Sequence, residues 1–125
     1  MDKYHSPRFL ALVEEARQRV PEIGVEELKQ KLDARGNFHL LDVREHEEWA
    51  RGHIPGARHL CRGILERDVE ALIPDTNAEI ILYCGGGYRS ALAAENLQRM
   101  GYKNVISVWG SWRAWCAAGY PIATD

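Results

Sequence analysis

The chain has 125 residues, of which 46% are hydrophobic and 27% charged, the size and balance of one ordinary globular domain. Sixteen Lys and Arg against eighteen Asp and Glu leave a formal charge of −2, so no bulk field draws it to nucleic acid or an anionic membrane. The same composition excludes disorder, a collagen-like repeat and a small disulfide scaffold, and no apolar run nears the roughly 18 residues of a membrane helix.

Met1 to His5 lacks the charged-then-apolar build of a secretory signal. Phe9, Leu12, Val13, Ala16 and Val20 recur at helical spacing, with Glu14, Glu15, Arg17 and Arg19 between them. Bounded by Ser6-Pro7 and Pro21, they predict an amphipathic helix packed onto the domain. Val25, Leu28 and Leu32 share one face of a second helix that Gly36 ends. Phe38–Val43 reads as a short apolar strand, Glu45–Arg51 as a short helix, Gly52–Gly56 as a turn and Ala57–Leu60 as another strand. Ile64, Leu65, Val69 and Leu72 predict a helix closed by Pro74. Glu79–Tyr83 is the clearest buried strand; a glycine run follows it, then a helix from about Ser90 to Met100 stopped by Gly101. Val105–Trp109 is the last strand and Ser111–Ala118 the last helix.

Twenty-one residues separate Tyr83 from Val105, enough for a helical crossover between parallel strands. Strands alternating with helices predict an α/β fold whose mainly parallel sheet is flanked by helices on both faces. Ligands of such sheets bind beyond the carboxyl ends of the strands. That rule points to the residues just after Val43 and Tyr83.

The three cysteines, Cys61, Cys84 and Cys116, lie 23 and 32 residues apart with no CxxC pair. Neither a disulfide framework nor a zinc knuckle fits, and reduced thiols in a cytoplasmic protein are the expectation. His46, His53 and His59, spaced by 7 and 6 residues, have no metal-ligand spacing, so no metal is expected.

After Tyr83 the chain reads Cys84-Gly85-Gly86-Gly87-Tyr88-Arg89-Ser90. A thiol leaves the end of a buried strand, four residues turn, and an arginine opens a helix. The helix start offers unpaired N–H groups and partial positive charge. Consecutive glycines let the backbone curl into an anion nest, and Arg89 adds a permanent cation. All three favour an ionised, nucleophilic thiol.

These residues resemble the active-site loop of the rhodanese (thiosulfate sulfurtransferase) family. Leu41-Asp42-Val43-Arg44-Glu45 with Glu48-Trp49, Gly52–Ala57, and Trp109–Trp115 with Gly119-Tyr120-Pro121 resemble three further family motifs in the same order. The resemblance covers about Ile23 to Ile122, which sets a rhodanese-like domain at 23–125 behind an N-terminal helical extension at 1–22. It implies a three-layer α/β fold and a sulfurtransferase without metal or organic cofactor. Cys84 would accept a sulfane sulfur as a persulfide. N–H groups from Gly85, Gly86, Gly87, Tyr88 and Arg89 would hold the terminal sulfur, and Arg89 would fix the loop. Asp42 and Arg44 would brace the site or steer substrate. A small sulfur-containing anion would be the donor, and cyanide, a thiol or a protein the acceptor.

Alternatives within the same residues are a persulfide carrier with little turnover and a cysteine phosphatase. Phosphatase loops of related design place five residues between Cys and Arg, and this loop has four, a ring too tight for phosphate. Gly85 and Gly86 leave donor choice to backbone and rim, and Tyr88 is the one bulky residue able to shield the sulfur. Asp42 reads chiefly as a cap of the following turn, and Arg44 as a contact for an anionic donor. Cys61 reads as a small packed side chain or a resolving thiol, and Cys116 as core. Trp109, Trp112 and Trp115 read as core and lid packing.

Overall fold

The computed structural model describes residues 5–125. Met1–Tyr4, most of the stretch expected not to be a secretory signal, lies outside them. In chain order the elements are α1 (Pro7–Arg17), β1 (Glu22–Ile23), α2 (Val25–Asp33), β2 (His39–Asp42), α3 (His46–Arg51), β3 (Arg58–His59), α4 (Arg62–Leu72), β4 (Ile80–Tyr83), α5 (Tyr88–Arg99), β5 (Val105–Val108) and α6 (Ser111–Ala117). The strands form one sheet in the order β1-β5-β4-β2-β3, with every strand pairing parallel.

Side chains alternate across a strand, and here both sides are covered. Leu40, Ile81 and Tyr83 face a core shared with Val25 and Leu28 of α2 and Trp115 of α6. Leu41, Ile80 and Leu82 face the other, with Leu65 and Val69 of α4 and Ala93, Ala94 and Leu97 of α5. Burial on both faces is why Ile80–Tyr83 reads as an unbroken apolar run, and each such Leu or Ile contributes about 1.5–3 kcal/mol.

The chain leaves β2 for β3 on one side and returns to β4 on the other. The crevice at that reversal lies at the carboxyl ends of β2 and β4. Asp42 is registered against Tyr83, and the Val43 N–H donates to the Tyr83 carbonyl at 3.0 Å. The loops that carry Arg44 and Cys84 therefore leave the sheet side by side.

α1 packs on α5 through buried Val13 and Ala16, while Leu12 stays 58% exposed, so the apolar stripe is narrower than its spacing implied. Arg19 pairs with Glu95 of α5 at 2.7 Å, and Gln98 donates to the Arg19 carbonyl at 3.0 Å. β1 was not expected from the sequence: two residues carry no periodicity. It exists because the Ser107 and Trp109 N–H groups of the β5 segment donate to the Pro21 and Ile23 carbonyls at 3.0 and 2.9 Å. This edge strand straddles the expected boundary between residues 22 and 23. α5 starts at Tyr88, two residues before the expected Ser90, because Gly87 caps it in the left-handed region. Cys116, expected in the core, is exposed on α6.

Candidate active site

Cys84 sits at the carboxyl end of β4, the middle strand, and its loop runs directly into α5. The carbonyls of Cys84, Gly85 and Gly86 accept from the N–H groups of Trp112, Arg113 and Gly110 at 2.9, 2.9 and 3.0 Å. In a trans peptide the C=O and the next N–H point opposite ways. Oxygens turned out toward the start of α6 thus turn the N–H groups of Gly85, Gly86 and Gly87 inward. The Gly87 N–H reaches Cys84 Sγ at 3.1 Å and the Ser90 N–H reaches it at 3.4 Å. The thiol faces Ser90 Oγ at 3.5 Å, and that hydroxyl bonds Ser107 Oγ at 2.8 Å.

Two backbone conformations hold this arrangement. Gly87 has φ +106°, and a Cβ there would lie 3.1 Å from the Val108 carbonyl oxygen. Ser111, a non-glycine residue at φ +47°, accepts the Cys84 N–H at 3.1 Å on its hydroxyl, which donates in turn to the Val108 carbonyl. Such a conformation costs on the order of 1–3 kcal/mol and persists where neighbours over-determine it.

Arg89 does not reach freely into solvent. Its Nη1 and Nη2 donate to Glu48 Oε1 and Oε2 at 2.8 and 3.1 Å, tying the loop to α3. Glu48 also accepts the Glu45 N–H at 3.0 Å, closing a capping box on α3. The hydrogen bond from Arg89 holds the Glu48 carboxyl below its ordinary value. The same bond raises Arg89, and the nearby Cys84 acts on Arg89 in the same direction.

Arg44, expected to contact an anionic donor, is placed otherwise. It is 2% exposed, and its Nε and Nη2 go to the Asp42 carboxylate at 2.8–3.1 Å, with Nη2 also on the Gly52 carbonyl at 2.7 Å. Its guanidinium lies over Trp112, 4.6 Å from the ring centroid. An arginine so held is not part of the cleft lining. Asp42 meets its expected capping pattern by accepting the Arg44 N–H at 2.9 Å.

A cleft of about 640 Å³ opens above the thiol. Cys84, Gly85, Gly86, Tyr88 and Arg89 line it from the loop, while Arg44, Asp42 and Gly87 do not. Cys84 is only 1% exposed, yet it is the cleft floor, with two N–H groups aimed at its sulfur. Cys61 caps α4 at intermediate exposure and does not line the cleft. His53 stacks on Trp49 with ring centroids 3.5 Å apart and bonds Asp125, away from the loop. Trp115 is buried core, whereas Trp109 lines the cleft. Among the described residues no group of three His, Cys, Asp or Glu is placed to hold a metal ion, and no helix is long and apolar enough to cross a membrane.

Sequence reasoning did not single out Ser90, Ser107, Ser111 or Glu48 as parts of this site. Ser90 and Glu48 were visible only as neighbours of motif residues, and Ser107 and Ser111 as ordinary strand and helix positions. Residues 24–118 match the family model described as a rhodanese-like domain. The chain belongs to that family. A putative sulfur carrier protein, YrkF of Bacillus subtilis, is 41% identical over 96 residues, 77% of this chain and 51% of the relative, so the chain spans about half of that protein's length. A putative sulfurtransferase of the same organism, YtwF, is 38% identical over 96 residues, covering 77% of this chain and 90% of its own. A solved structure from Rhodopseudomonas palustris, described as a protein of unknown function and possible tyrosine phosphatase, superposes with a TM-score of 0.87 at 29% identity. It covers 98% of this chain and 99% of its own, so the likeness takes in α1, which lies before the matched rhodanese-like segment. The rhodanese-like domain here has sulfur-transfer and sulfur-carrier relatives, which support a sulfur-transfer role.

Proposed function

We propose that this rhodanese-like domain is a sulfurtransferase that carries sulfane sulfur as a persulfide on Cys84, with residues 1–22 as an added helical segment on a domain spanning 23–125. The observation that carries the reading is the pair of N–H groups, from Gly87 and Ser90, converging on Cys84 Sγ at 3.1 and 3.4 Å. In the forward half-reaction the Cys84 thiolate attacks the outer sulfur of thiosulfate or a similar donor. A new S–S bond forms, the donor's bond to that sulfur breaks, and sulfite leaves with the electron pair. The terminal sulfur sits about 2.05 Å beyond Sγ, where the inward N–H groups of Gly85 and Gly86 receive its charge at the start of α5. Cyanide or a thiol then removes it and regenerates the thiolate, a double displacement. No metal or organic cofactor takes part, and a cytoplasm that keeps thiols reduced suits the chemistry.

Arg89 favours this reading over phosphatase chemistry. Each of its terminal nitrogens donates to Glu48, which makes it a brace of the loop, and only four residues separate it from Cys84. The sulfur-carrier relative favours a second reading, in which the domain loads once and delivers to a partner. Incubation with thiosulfate should add one sulfur to the intact mass, and Cys84→Ser should abolish the gain. Multiple turnovers of thiocyanate per protein identify the enzyme, and a single loaded sulfur without turnover identifies the carrier. A Cys84→Ser protein that still forms thiocyanate at the full rate overturns both.

A further inference from the structure

The cleft above Cys84 is much larger than sulfur transfer from a five-atom anion requires. At about 640 Å³ it falls within the range of roughly 300–1,000 Å³ typical of sites for organic ligands. Its lining is mostly apolar and comes from two walls. One wall is aromatic: Phe9 and His5 pack on Tyr88 with ring centroids 6.1 and 4.6 Å away, and Tyr88 packs on Trp109 at 5.5 Å. The other, from α6, is Ala114 and Ala117, three apart, whose small side chains leave space in the cleft. Half of the aromatic wall is supplied from outside the matched rhodanese-like segment, by the start of the chain and α1.

That half is built in. Arg17 lies over the Trp109 ring, 3.6 Å from its centroid, while its Nε and Nη2 donate to Glu22 of β1 at 2.9 and 3.2 Å. One side chain thereby locks α1 to the sheet edge and to the cleft wall. A five-atom anion is too small to cover these rings, and apolar walls lining the same cleft as the thiol favour a ligand that covers them. Arg113 stands at the rim with no ion-pair partner among the described residues, so an anionic ligand is attracted there.

We infer that α1 is a specificity element, and that the sulfur donor is an organic anion whose aromatic or bulky apolar body lies between Phe9, Tyr88 and Trp109 on one side and Ala114 and Ala117 on the other. The inference rests on the persulfide reading of Cys84. With a thiosulfonate donor the step balances as it does for thiosulfate: the Cys84 thiolate takes the outer sulfur, and the organic sulfinate leaves with the S–S bond pair. Phe9 and Ala117 set selectivity by shape and do not touch the reacting sulfur.

The test compares sodium benzenethiosulfonate with sodium methanethiosulfonate as donors to the full chain, with cyanide as acceptor and intact mass as a second readout. Intrinsic reactivity of the two donors cancels when ratios of kcat/KM are compared between variants. Phe9→Ala should lower the benzene-to-methane ratio by about tenfold or more, the discrimination that loss of an apolar contact carries. Ala117→Phe, on an exposed position of α6 where folding is not at stake, should lower the same ratio by filling the space. A ratio unmoved by either variant overturns the inference while leaving Cys84 chemistry intact. Failure of Cys84 to gain sulfur from thiosulfate or from either thiosulfonate overturns the persulfide reading and the inference with it.

Discussion

Arg89 and Glu48, 41 residues apart in the chain, meet in a two-pronged ion pair that joins the Cys84 loop to α3. The pair is about one-third exposed on each side, so its worth to global stability is about 0–1 kcal/mol. Its effect falls on loop geometry. Glu48→Gln should leave the thermal midpoint nearly unchanged and slow persulfide formation by about tenfold, read as the rate of mass gain from thiosulfate.

The same pair predicts an acid limb. Glu48 ionises below its reference value of 4.5 because Arg89 holds its charged form. A depressed carboxyl stabilises the fold above its unfolded value and loses that contribution as pH falls through the folded one. Wild type should therefore lose loop order, followed by tryptophan fluorescence, as pH drops below about 4.5, while Glu48→Gln lacks that component. Equal acid profiles for the two proteins would contradict the assignment.

Asp42 and Arg44 form a buried pair, and breaking one leaves the other charged and unpaired. Asp42→Ala should destabilise by about 3–5 kcal/mol. Because Arg44 braces from beneath and does not face the cleft, a milder Arg44→Lys should lower the denaturant midpoint and leave the KM for thiosulfate unchanged. A large rise in KM at unchanged stability would restore Arg44 as a donor contact.

Ser90 links the thiol to Ser107. Ser90→Ala strands the Ser107 hydroxyl in the core, costing about 1–3 kcal/mol, and removes an O–H able to turn toward the thiolate. The Ser90→Ala/Ser107→Ala double variant should be more stable than the sum of the single changes predicts, since neither hydroxyl is left unpaired. Persulfide formation should be slower than wild type in Ser90→Ala and in the double variant alike, since both lack that O–H.

The glycines of the loop differ. Gly87→Ala forces a side chain into the left-handed region and against the Val108 carbonyl, costing on the order of 1–2 kcal/mol from conformation alone. A Cβ on Gly86 meets nothing within 4 Å, so Gly86→Ala should fold with no loss of midpoint. Calorimetry of the two variants checks the contrast.

Much of this was legible in the chain because local signals agreed with the global fold. The short segments 39–42, 80–83 and 105–108, each with an apolar centre, read as buried strands separated by helical crossovers, and Cys84 through Arg89 announced a strand, a curl and a helix start. What stayed hidden depends on partners far along the chain. β1 is a strand only because β5 passes beside it. Arg44 in sequence is a free cation next to a site; only the positions of Asp42, Gly52 and Trp112 show that its Nε and Nη2 are taken and its guanidinium is stacked. Cys116 is apolar enough for a core but falls on the outer side of α6. Phe9 belongs to an amphipathic stripe like any other until α5 brings Tyr88 against it.

The outward bonds of the Cys84, Gly85 and Gly86 carbonyls have one more consequence. The trap for a sulfur anion is made by two helices beginning at the same place, one lending its polarity and the other pulling the peptide oxygens out of the way. A chain shortened before residue 110 would retain every atom of the thiol loop and still lose the cradle, because none of the downstream N–H groups that turn its amides over would be left.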